Sequence, residues 1–195
     1  GGVTPANDGA SHQCIEDMGI MRTLPNMTVV MPADYTSAKA LVKAAAAWDG
    51  PVYLRFTRDA VPVLYDEEDT FEIGKAKILR EGGDVSLIAN GDTVCLALEA
   101  ADNLQKKGIS ARVLDMHTIK PLDEKAVLDC IRSTKAIVTV EDHNIYNGLG
   151  SAVAELVSEN GGARMRRVGI QDQFGQSAPY ERLLEMNGIT TENIV

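Results

Sequence analysis

The chain reads as an α/β protein in two unequal parts. An incomplete α/β segment covers residues 1–59, a linker covers 60–74, and a three-layer α/β/α domain with a mostly parallel sheet covers 75–195. Two observations predict this. Short runs of β-branched and aliphatic residues alternate with longer runs of helical apolar spacing, and after residue 85 that alternation becomes regular.

The first residues are loop-like, with Gly1, Gly2, Pro5 and the turn Asn7-Asp8-Gly9. Ser11 then offers a cap for a helix running toward Leu24, with Cys14, Met18 and Met21 on one face and Pro25-Asn26 as its stop. Residues 27–31 (MTVVM) have the composition of a buried strand. Pro32-Ala33-Asp34 opens the next helix, with Asp34 as N-cap and Ala38, Leu41, Val42 and Ala45 at the spacing of one face. After Asp49-Gly50-Pro51, residues 52–56 (VYLRF) form a second strand. Strand, helix, strand in this order implies a parallel crossover.

Between 58 and 70 the periodicity stops, and the cluster Asp66-Glu67-Glu68-Asp69 marks a solvated connection. Strands at 75–79 and 85–89 flank the turn Glu81-Gly82-Gly83-Asp84. Helices at 93–106, 122–133 and 149–158 then alternate with strands at 111–116, 136–140 and 164–170, which is the pattern of a doubly wound sheet. A loop and a short helix near 179–186 end the chain. Two strands and two helices are too few to cover both faces of a parallel sheet, so the first part is expected to be completed by residues upstream of Gly1.

Composition narrows the function. The chain is 45% hydrophobic and 24% charged, the usage of an ordinary globular protein. Its net charge of -9, without any basic run, disfavours nucleic acid and anionic membranes as partners. No apolar run approaches a membrane span, and a cytoplasmic location is expected. Cys14, Cys95 and Cys130 are widely spaced and are expected to be buried free thiols rather than zinc ligands or a disulfide framework. Trp48 and the methionines Met18, Met21, Met27 and Met31 are expected in the core.

The polar run from Asn7 to Gln13 lies at the expected N-terminus of a helix, where N–H groups favour anions or sugar hydroxyls. On spacing alone it fits an Asx turn with a capping residue better. Taken alone, Arg58 at a strand end reads as a surface ion-pairing arginine, and His117 and His143 read as structural.

Several motifs in order resemble the transketolases. These are Asp8-Gly9-Ala10-Ser11-His12-Gln13, Met21-Arg22-Thr23-Leu24-Pro25-Asn26-Met27, Pro32-Ala33-Asp34, the run Gly50 through Arg58, Val140-Glu141-Asp142-His143-Asn144 and Gly148-Leu149-Gly150-Ser151-Ala152-Val153. The resemblance spans nearly the whole chain, and residues 139–155 are similar to split transketolases, whose C-terminal half is a separate subunit. It implies the end of a thiamine-diphosphate pyrimidine-binding domain followed by the family's C-terminal domain. The implied activity is ketol transfer between sugar phosphates, as in the pentose phosphate pathway.

By the same resemblance, Asp8 would accept a sugar hydroxyl, and His12 would contact the carbonyl or C1 hydroxyl as a catalytic and substrate-binding group. Arg58 would bind the substrate phosphate, to which a guanidinium fork is suited. The cofactor's activating glutamate and stacking aromatics would lie upstream of Gly1, and thiamine diphosphate with Mg²⁺ or Ca²⁺ would be held by another domain. No cofactor-binding or metal-binding residue is therefore assigned to this chain, and the Gly91-Asp92 pair lacks the surroundings of the family's diphosphate motif. The implied partners are an upstream half or N-terminal subunit and a second copy of the enzyme, and the isolated chain is expected to be inactive. Two alternatives stand beside this reading: an oligomerisation or regulatory module, and part of a related thiamine enzyme such as 1-deoxyxylulose-phosphate synthase.

Overall fold

The computed structural model describes residues 1–195. In the first part, β1 (Thr28–Val30) and β2 (Val52–Leu54) pair in parallel across helix α2 (Tyr35–Ala46), as the strand–helix–strand order requires. Asp34 caps α2. Its carboxylate accepts the Ser37 N–H at 2.8 Å, while the Asp34 N–H donates to the Ser37 hydroxyl at 3.0 Å, a reciprocal capping box. Leu41 is buried against Val30 and Ile73, but Val42 is 44% exposed and Trp48 39% exposed, so the apolar stripe of α2 is only half covered. Trp48 is thus not a core residue, whereas Met18 and Met31 are fully buried.

Helix α1 begins at Asp17 and ends at Thr23, later than the expected start at Ser11, and Ser11 does not cap it. The backbone ahead of it is already engaged. Gly2 and Cys14 exchange N–H···O bonds of 2.7 and 3.2 Å, and the Ile15 carbonyl accepts the Asn144 N–H at 2.7 Å. Tertiary partners have taken the groups that a longer helix would use.

The larger sheet has the order β3-β5-β4-β7-β8. Strands β4 (Val85–Ala89), β5 (Ala111–Asp115), β7 (Ala136–Asn144) and β8 (Arg164–Ile170) are parallel, and β3 (Lys77–Arg80) runs antiparallel along β5. Strands β3 and β4 flank the glycine turn in sequence but do not pair, because β5 lies between them. The turn runs against the start of β5, where a Cβ on Gly82 would overlap the Ala111 carbonyl carbon. Helix α3 (Thr93–Lys106) covers one face with Leu87, Val113 and Val140 beneath it. Helices α4 (Glu124–Ser133) and α5 (Leu149–Asn160) cover the other, over Ile88, Leu114 and Ile137. Adjacent strand residues thus face opposite cores, and both faces are apolar because both are covered.

A short strand, β6 (Thr118–Lys120), has no counterpart in the sequence reading. It pairs antiparallel with β1 and completes a small sheet of order β2-β1-β6, joining the two parts by backbone bonds. The connection at 60–74 is also anchored. The Leu64 and Tyr65 N–H groups donate to Asp34 at 2.9 and 3.0 Å, and Tyr65 and Ile73 are buried. Asp66, Glu67 and Glu68 remain exposed. Helices α6 (Tyr180–Met186) and α7 (Thr191–Ile194) close the chain. No helix is long and apolar enough to cross a membrane.

Candidate functional site

The first residues form a compact loop beside the C-terminal end of β2. A single 3-10 turn, Ala6–Asp8, is followed by Gly9 at φ 78°, a reversal that glycine adopts without strain. Ala6 stands at φ 47°, an unusual conformation for a residue with a Cβ. The turn presents Asp8 outward, where its carboxylate pairs with the Arg58 guanidinium. Both side chains are exposed. The Arg58 N–H in turn donates to the Thr4 hydroxyl at 3.2 Å. His12 is also exposed, with its Nδ1 3.0 Å from the Ser11 hydroxyl, and it has no hydrogen bond to Asp8 or Arg58. The structure therefore brings Asp8 and Arg58 together and leaves His12 four residues on in the same loop, facing solvent. Beside it lies an open cavity of about 540 Å³ lined by Gln13, Glu16, Asn144 and Phe174.

Beneath this loop is a buried polar seam between the two parts. Arg55, only 2% exposed, donates to Asp17 Oδ2 at 2.9 Å, to the Cys14 carbonyl at 2.8 Å and to the Asp142 carbonyl at 3.1 Å. The Tyr53 hydroxyl donates to the same Asp17 oxygen at 2.8 Å. Burial opposes charge on Asp17, but the Arg55 guanidinium outweighs it and holds the carboxyl below its usual range. Burial opposes the Arg55 charge too, and Asp17 and Asp142 sustain it. Burial, reinforced by the nearby Asp92 carboxyl, pushes Asp142 up.

Asp92 lies just beyond the carboxyl end of β4 and Asp142 in the last residues of β7, the edge where doubly wound sheets commonly bind ligands because the crossovers diverge. Here the crevice is filled. Met31 is pressed so closely onto Gly91 that a Cβ there would overlap its methyl group, and Asp92 accepts the Tyr180 hydroxyl. Glu141 accepts the Leu149 and Gly150 N–H groups at 2.7 and 2.8 Å, capping α5. His143 donates from Nδ1 to the Asn144 carbonyl at 2.6 Å and accepts the Gly19 N–H at Nε2, so it is a neutral, fully used imidazole. Burial and Arg55 both lower its pKa. Burial and Lys77 lower that of His117 to about 4, and its ring packs edge-on against Phe71 at 5.7 Å. Both histidines are packing groups in this structure.

From sequence, no buried seam was assigned to Arg55, Asp17, Asp92 or Asp142, although Arg55 and Asp142 lie within the family-like runs. One signal was present. Arg55 stands within an otherwise apolar strand, and a buried charge demands a buried partner. Of the three cysteines, which are all free, only Cys130 is buried.

The acids do not fit a diphosphate–metal site. No group of three or more His, Cys, Asp or Glu side chains is arranged to hold a metal; both oxygens of Asp142 and Glu141 accept backbone N–H groups, and one oxygen each of Asp17 and Asp92 is taken by Arg55 and Tyr180.

The chain is thus an α/β protein of two parts that share one seam, with Asp8, His12 and Arg58 exposed at its edge. Residues 1–63 match the transketolase pyrimidine binding domain, and residues 74–194 match the transketolase C-terminal domain. The chain belongs to the transketolase family. It is 44% identical over 194 residues to the 6-deoxy-6-sulfo-D-fructose transketolase subunit SqwH of Clostridium sp., covering 100% of this chain and 60% of that one. It is 42% identical over 195 residues to one subunit of the apulose-4-phosphate transketolase of Phocaeicola vulgatus, covering 100% and 62%. A solved split-gene transketolase, an inactive beta4 tetramer, superposes with a TM-score of 0.92 at 46% identity, covering 95% of this chain and 61% of the other. The chain thus spans about three-fifths of the length of these relatives. Membership of a thiamine enzyme family implies thiamine diphosphate in the complete enzyme.

Proposed function

We propose that the chain is one section of a cytoplasmic transketolase, and that it transfers a two-carbon ketol unit between sugar phosphates only with the upstream polypeptide and thiamine diphosphate. Mg²⁺ or Ca²⁺ is held with the cofactor by that upstream part, and the complete enzyme is dimeric. Thiamine diphosphate supplies the electron sink for carbon–carbon cleavage, while this chain's residues bind and orient the sugar. Asp8 accepts a substrate hydroxyl, His12 donates to the carbonyl or C1 oxygen, and Arg58 holds the phosphate. The main support is the Asp8–Arg58 contact, which joins residues 50 positions apart at the loop that also carries exposed His12. Arg58 pairs with Asp8, and a substrate phosphate would compete for the same guanidinium.

The test is a coupled ketol-transfer assay on the chain alone and on the chain mixed with its upstream polypeptide, thiamine diphosphate and Mg²⁺. Activity in the mixture alone is expected, and inactivity in both with each piece folded would sink the reading. In the active mixture, Arg58→Ala should raise KM for phosphorylated sugars by roughly 10- to 100-fold, the loss of one charge-assisted contact. An unchanged KM would remove Arg58 from the site.

A further inference from the structure

The candidate substrate loop is held from both parts: Arg58 and Arg55 reach it from the first, and four hydrogen bonds reach it from the C-terminal domain. The Val3 N–H donates to both oxygens of Asp142, at 3.1 and 2.9 Å, and Asp142 is fully buried at the end of β7. Gly2, at φ 64°, lies so close that a Cβ would overlap the Asp142 carboxylate. Farther along, the Ser177 hydroxyl donates to the Asn7 carbonyl at 2.6 Å, and the Gln13 amide donates to the Gln176 carbonyl at 2.8 Å. These three tethers bracket Asp8 and His12 on both sides. Between them sits Ala6 at φ 47°, a conformation that persists only where its surroundings over-determine it. Asp142 also meets Arg55 through its carbonyl oxygen, so the tether is built into the seam rather than resting on the surface.

We propose that Asp142 is a positioning residue: through Val3 it fixes the loop that carries Asp8 and His12, with Ser177 as a second clamp, so that the C-terminal domain sets the geometry of the sugar site without touching the sugar. This rests on the reading of Asp8 and His12 as substrate groups. Orientation of such groups matters steeply, since misplacement by about 1 Å costs on the order of 100-fold in rate.

The test uses the full chain and the reconstituted enzyme, with Asp142→Ala, Asp142→Asn and the surface variant Ser177→Ala. Hydrogen exchange of amides 3–13 should quicken by about 10-fold or more in Asp142→Ala and Ser177→Ala. Exchange elsewhere should stay unchanged, and Asp142→Asn, which keeps one acceptor for the Val3 N–H, should restore most of the protection. A rise spread over the whole chain, or equal effects of alanine and asparagine, would make Asp142 a general stabiliser and overturn the proposal, as would unchanged loop exchange.

In the active mixture, Ser177→Ala should lower kcat/KM by about 10-fold, and it should add no further loss in a His12→Ala background. If His12→Ala and Ser177→Ala both leave kinetics unchanged, the substrate reading fails instead. If His12→Ala is impaired and Ser177→Ala is not, the positioning role fails while the site reading stands.

Discussion

Asp115 shows how far a single buried residue can set the response of this fold to pH. Its Oδ2 accepts the Tyr65 hydroxyl at 2.7 Å, its Oδ1 has no partner, and it is fully buried. Burial pushes its pKa to about 7, with the Tyr65 bond and Lys77 opposing and Asp34 reinforcing. Burial likewise raises Glu141 to about 7 against its two backbone N–H donors. A carboxyl whose folded pKa is raised binds its proton more tightly in the native state. Its stabilising share is therefore complete below the unfolded pKa of about 4, and it is lost as pH rises toward 7. Asp17, held low, acts in the opposite sense and loses its share in acid. Asp115→Asn still accepts the Tyr65 hydroxyl but carries no charge, so its Tm should fall less than that of the parent between pH 4 and 8. Parallel Tm–pH curves would show that Asp115 titrates normally. At this scale Asp8, His12, Arg58 and Asp142 were legible within motifs, whereas the burial of Asp115 and Asp142 was not. Their burial comes from neighbours far along the chain: Tyr65 for one and Val3 for the other.

Elements whose pattern is local and repeated were readable. Helices α3, α4 and α5 were found by apolar spacing alone, because each buries one stripe against a sheet face. The capping box of α2 was equally local. The strand β6 was not found, being three residues long with its partner β1 about ninety positions earlier. Within β6, Ile119 is 1% exposed and packs with Met18, Val29 and Met31 between the two parts. Ile119→Ala should destabilise the chain by ~2–5 kcal/mol through the cavity it leaves, measured by urea unfolding. A loss under ~1 kcal/mol would mean that the seam collapses freely around the void. The start of α1 was misplaced for a related reason: residues 11–16 have helical spacing, yet their backbone groups bond to Gly2 and Asn144.

For the whole molecule, the shared sheet and the Arg55 seam join the two parts, which should therefore unfold as one cooperative unit. Trp48, the only tryptophan, reports on the first part, while α3, α4 and α5 dominate the far-ultraviolet signal of the second. Thermal unfolding followed by tryptophan fluorescence and by circular dichroism should give coincident midpoints. Separated midpoints would show two independently folding domains and a weak seam.

By itself the sequence determined the α/β class, the parallel crossovers, the main helices and the short motifs that mark the family. Each of these depends on residues close together in the chain, through spacing of 3.6 or 2 and through short motifs. Only the tertiary structure decided that β5 separates β3 from β4, that β6 completes the small sheet, and that Asp142 holds the loop at Val3. It also decided that the crevice beyond β4 and β7 is closed by Met31. Those outcomes depend on which distant groups can bury charge and satisfy N–H and C=O together, a condition imposed by the packed chain and not by any local stretch of it.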